Sequence, residues 1–61
     1  MNDRDIILQA YADTVRKLFA IFLDSSNVAD TDKKRAQADE RFKAGLVNAR
    51  KLRDRAVELA S

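Results

Sequence analysis

The chain has 61 residues, 36% of them charged and 46% hydrophobic, carries a formal net charge of +2, and contains no cysteine, histidine or proline. A chain this short buries only about 60% of the surface its unfolded form exposes. Without Cys or His, neither a disulfide nor a structural zinc can brace it, which leaves oligomerisation. The same absences exclude a nucleophile–histidine triad, and a single glycine, Gly45, excludes a glycine-rich phosphate loop.

With Ala, Leu, Lys, Arg, Asp and Glu dominant, the chain reads as all-helical. Asn2 is placed to cap a first helix, with Asp3 and Asp5 in the turn where the helix dipole favours negative charge. Ala10-Tyr11-Ala12 has the spacing of a signal-peptidase site. Two early aspartates and an apolar run of only Ile6-Ile7-Leu8 argue instead for the start of a helix. No segment approaches the ~20 apolar residues of a membrane span. The expectation is therefore a soluble, cytoplasmic protein that makes no use of a membrane.

The first helix is predicted over about residues 3–24. Projected at about 100° per residue, Asp5, Gln9, Asp13, Arg16, Lys17 and Asp24 share one narrow strip with Ala20, and the rest of the circumference is largely apolar. Within it runs Leu18-Phe19-Ala20-Ile21-Phe22-Leu23, six apolar residues that one neighbouring helix cannot cover. The residues from Asp24 to Thr31 gather turn and cap formers, which predicts a turn over about residues 25–30 with Asp30 or Thr31 as the next cap, or Ser26 for an earlier start.

A second helix is predicted over about residues 31–60. Along it Ala38, Phe42, Gly45, Ala49, Leu52, Ala56 and Leu59 alternate at spacings of three and four, the seam of a coiled-coil-like antiparallel packing. The first helix offers the larger Leu8, Tyr11, Val15, Leu18 and Phe22 at matching spacings. A turn near Asn27 places Tyr11 beside Gly45 and leaves the end of the second helix overhanging. It also sets the six-residue run against Asp32 to Ala38, which offer little apolar cover. The architecture expected is thus a two-helix antiparallel hairpin in one domain. It dimerises into a four-helix bundle through Leu18, Phe19, Ile21, Phe22 and Leu23 of the first helix and Leu52, Ala56, Val57 and Leu59 of the second. In plan this hairpin resembles the plasmid-encoded RNA-binding Rop proteins; the likeness covers the hairpin alone, and fold analogy does not carry function.

Charge is divided unevenly: residues 1–24 carry three basic against four acidic side chains, residues 30–61 nine against six. The densest basic run supplies the candidate anion or nucleic-acid residues, Lys43, Arg50, Lys51, Arg53 and Arg55. Asp54 and Glu58 answer part of that charge, and no aromatic side chain interleaves it for base stacking. Arg53 is singled out because its stem can lie along the seam while its guanidinium reaches water, a carboxylate such as Asp13, or an anionic ligand such as a nucleotide in a groove between subunits. Paired carboxylates occur at Asp39 and Glu40 and, around the turn, at Asp30 and Asp32. Arg35 and Lys43 lie one turn either side of Asp39, and Lys34 one turn after Asp30, so ordinary helix-surface pairing accounts for them. No catalytic constellation, metal site or cofactor is expected. The reading is a non-enzymatic, self-associating module that binds another protein, with nucleic acid and anionic small ligands as the alternative targets.

Overall fold

The computed structural model describes residues 2–61, which form two long helices, α1 (Asp3–Val28) and α2 (Asp32–Ala60), packed against each other as a hairpin; no strand occurs among the described residues. Both starts follow the capping rule. Asn2 Oδ1 accepts from the Asp5 backbone N–H at 2.9 Å, and Thr31 Oγ1 accepts from that of Lys34 at 3.2 Å. Each satisfies an N–H that the helix cannot pair internally. Asp3, Asp5 and Asp32 add negative charge in the first turns. At the far end Ser61 closes α2, its backbone N–H donating to the Glu58 carbonyl at 3.3 Å and its hydroxyl to that of Val57 at 2.8 Å.

The turn lies later than the composition suggests. Ser25, Ser26, Asn27 and Val28 continue α1, and the connection is only Ala29, Asp30 and Thr31. Serine and asparagine in a helix each cost less than about 0.7 kcal/mol relative to alanine, and no Gly or Pro stands here to enforce a stop. The break comes instead where Thr31 caps α2 and Asp30 pairs with Lys34 at 2.9 Å.

This displacement resets the register. Phe22 stacks on Phe42 with ring centroids 4.6 Å apart, Leu18 lies over Gly45, and Tyr11 meets Arg53. Tyr11 therefore sits about two turns further along α2 than Gly45, the partner first expected. The clearance at Gly45 serves Leu18: a Cβ there would lie 2.8 Å from Leu18 Cδ2. The expected overhang of the second helix closes, since Ala56 and Val57 are half-buried. The run Leu18 to Leu23 now faces the stretch around Phe42, Gly45 and Leu46 rather than Asp32 to Ala38.

The seam also differs in membership. Ile7, Leu46, Arg53 and Val57 are half-buried, whereas Leu8, Leu52 and Leu59 are exposed. A straight helix drifts about 20° per seven residues against a seven-residue repeat. The row Ala38, Gly45, Leu52, Leu59 therefore starts in the seam and rotates out of it, and Arg53 and Val57 rotate in. The result is a slab with Cα extents of 46 × 17 × 6 Å in which Ala38 is the only buried side chain among the described residues. No helix among the described residues is long and apolar enough to cross a membrane.

Candidate interaction surfaces

Two helices side by side have two broad faces, and the apolar residues left over from the seam divide between them. Residues two apart on a helix point about 160° away from each other. Phe19 and Leu23 therefore project to the face opposite Ile21. The expected interface is split by this geometry into three sets. Leu18 and Phe22 go into the seam with Ala56 and Val57, half-buried by the chain itself; Phe19 and Leu23 go to one face; Ile21, Leu52 and Leu59 go to the other.

The first of these faces carries a stripe from α1, Leu8, Ala12, Phe19 and Leu23, beside Asp39, Lys43 and Arg50 of α2 by helical projection. The opposite face is grooved. Ile7, Ala10, Tyr11 and Thr14 line one hollow with Ala49, Leu52, Arg53 and Ala56, and Leu18, Ile21, Phe22 and Ser25 line another with Ala38, Arg41 and Phe42. On this grooved face stand the four most exposed large apolar side chains of the molecule: Val28 at 79%, Leu59 at 69%, Ile21 at 63% and Leu52 at 61%. They fall on two rows of seven-residue spacing, Ile7, Thr14, Ile21, Val28 and Ala38, Gly45, Leu52, Leu59.

The basic candidates do not converge. Arg53 lies in the seam with its Cζ 4.6 Å from the Tyr11 ring centroid, while Nε donates to Asp54 Oδ1 at 2.9 Å and Nη2 lies 2.9 Å from the same oxygen as an ion pair. The hydrogen bond to Asp54 is the main cause of a guanidinium pKa above its ordinary value, against which partial desolvation works; the charge of Asp54 and the Tyr11 phenol add to the rise. Its partner is Asp54, and Asp13 is taken by Arg16 at 2.6 Å. Arg55 pairs with Glu58 at 3.4 Å. Lys43 and Lys51 border a shallow depression with Glu40, Ala44, Val47 and Asn48, and Arg50 projects with Lys43 toward the striped face. Five cations on three sides of one helix give no continuous track for a phosphate backbone.

Every ion pair among the described residues joins positions one to four apart, and none bridges the helices. The Asp30–Lys34 pairing forms as expected, but Arg35 turns to Asp32 at 3.1 Å rather than to Asp39. These exposed pairs are each worth under about 1 kcal/mol. Among the described residues no group of His, Cys, Asp or Glu side chains is arranged to hold a metal ion. What sequence reasoning missed is Arg41, which lines the grooved face, and the two seven-residue rows. The rows were legible as a repeat; their exposure depends on the register. No protein-family model matches this chain, no curated protein is detectably similar to it, and no solved structure matches its fold.

Proposed function

We propose that this protein is a non-enzymatic association module that binds itself and, through a second surface, another protein. The observation that carries this reading is the near absence of an interior. Ala38 alone is buried among the described residues, while large apolar side chains stand exposed on both broad faces. Fully burying one such side chain contributes roughly 1.5 to 3 kcal/mol. Exposed ion pairs contribute far less, so covering either face outweighs everything its charges offer. One face closed by a second copy completes a four-helix bundle and supplies the core that 61 residues lack. The other face, with its α1 stripe, then remains for a protein target.

Light scattering at micromolar concentration tests the first half of this reading. A homo-oligomer is expected, with a melting temperature that rises with protein concentration. A stable folded monomer would overturn it.

A further inference from the structure

We infer that the second copy seats on the grooved face with its hairpin pointing the same way, so that α1 of each copy lies on α2 of the other. The inference rests on the self-association proposed above and adds which face is used and in which orientation. The face suits a dimer in size: a slab of 46 × 17 Å matches the roughly 800 Å² per partner of a standard interface.

Its relief is self-complementary. In the observed register Ile21 lies about two to three residues from the level of Gly45, as Val28 does from Ala38 and Thr14 from Leu52, each offset less than one turn. A twofold axis along the hairpin carries α2 of one copy over α1 of the other at the same level. Leu52 then meets the partner's Thr14, large on small, while Ile21 and Val28 come over the hollow that Ala38 and Arg41 line on the partner's grooved face. Exposed large side chains thus fall on smaller side chains or hollows, as interdigitating layers require. The seven-residue spacing of both rows is also the repeat that faces a common axis in a left-handed bundle.

Relief alone also admits the reversed orientation, with a twofold axis across the hairpin and α1 on α1. Charge decides between the two. Along this face the α1 edge is mainly acidic, with Asp3, Asp13 and Asp24 against Lys17, while α2 presents Lys34, Arg41 and Arg55. Neither Asp24 nor Arg41 has an ion-pair partner among the described residues. With the hairpins pointing the same way, Asp24 comes level with the partner's Arg41, twice by symmetry, and Lys17 with the partner's neutral Asn48. Reversed, Lys17 gains the partner's Asp13, a group Arg16 already holds, while Arg41 is set against the partner's Arg55 and Asp24 is left alone. Like charges directly opposed cost specificity as well as energy.

The test is a charge reversal read by the dimer dissociation constant. Asp24→Arg and Arg41→Asp should each weaken the dimer by about tenfold. The double variant Asp24→Arg/Arg41→Asp should return to within about threefold of the parent. A double variant as weak as either single would overturn the inference. Because the chain has no cysteine, cross-linking gives an independent arm. Asp24→Cys mixed with Arg41→Cys should form disulfide dimers, and Lys17→Cys alone should not. Self-linking of Lys17→Cys, or dissociation by Phe19→Asp on the opposite face, would overturn it too. A monomeric parent protein would defeat both this inference and the proposed self-association. A dimeric parent without charge rescue would defeat this inference alone.

Discussion

The half of the seam beside the turn and the half beside the chain ends are built differently. Near the turn, Phe22 stacks on Phe42 with planes 20° apart, Leu18 presses onto Gly45, and Ala38 is buried. Toward the ends, the aromatic Tyr11 meets a cation, Arg53, whose guanidinium is also tied to Asp54. The first half is apolar at its centre, from Leu18 and Phe22 to Phe42 and Gly45, and tethered by a three-residue link. The second is polar at its centre and has no covalent closure. The contrast teaches that a helical hairpin with hardly any interior concentrates its tight contacts where the link already limits the entropy lost on pairing, and admits an amphipathic side chain where the helices are free to separate.

A carboxylate placed in each half exposes that difference most strongly. Phe22→Asp removes the ring that stacks on Phe42 and sets a charge in its place, with Arg41 at the rim of the same hollow. The hairpin should lose more than about 3 kcal/mol, through lost ring packing and the desolvated carboxylate together, and circular dichroism should report an unfolded chain. Tyr11→Asp loses a ring as well, but its carboxylate stands where Arg53 can answer it. The expected result is a folded protein with a reduced melting temperature. Equal unfolding by both variants would erase the distinction between the halves.

An intermediate effect is expected at Gly45. Gly45→Leu overpacks the contact with Leu18 and should cost about 1 to 3 kcal/mol. Gly45→Ala is a closer balance. Its new Cβ would lie 2.8 Å from Leu18 Cδ2 and 3.3 Å from Cδ1, yet these are the ends of a flexible side chain that is only half-buried, and alanine gains about 1 kcal/mol of helix propensity. Chemical denaturation should place Gly45→Ala within about 1 kcal/mol of the parent. A large loss would mean that Leu18 has nowhere to turn and that the turn half is more tightly packed than its exposure suggests.

These contacts also mark how far the sequence could be read. The hairpin, its all-helical class and the caps at Asn2 and Thr31 were legible because each rests on local chemistry: propensity, the dipole and an oxygen in reach of an N–H. The register was not. It hung on whether Ser25, Ser26 and Asn27 end a helix, and those residues tolerate a helix at small cost when no Gly or Pro intervenes. That four-residue shift in where α1 stops moved Tyr11 from Gly45 to Arg53 and removed the expected overhang of the second helix. The interface residues were recognisable as too apolar for one neighbour to cover. Their division among seam, striped face and grooved face depends on angular drift accumulated over four heptads, which a three-four spacing pattern does not display.

The smallest effects are expected at Arg53, and they bear on whether the polar half of the seam serves packing or a ligand. Arg53 places its stem along the seam and its guanidinium between the Tyr11 ring and Asp54, so its donors and its cationic face are already partly engaged. If packing is the role, Arg53→Lys keeps a cation near the ring and Arg53→Met keeps the stem. Each should lower the melting temperature by only a few degrees, whereas Arg53→Ala, which removes the stem as well, should lower it further. Nucleotides and other small phosphates should then leave the melting temperature of the parent unchanged, because an anion would have to displace Asp54 from the guanidinium. A phosphate-dependent rise that Arg53→Met abolishes and Arg53→Lys only partly retains would reverse this assignment, since lysine keeps the charge but lacks the planar fork that grips an oxyanion by two donors.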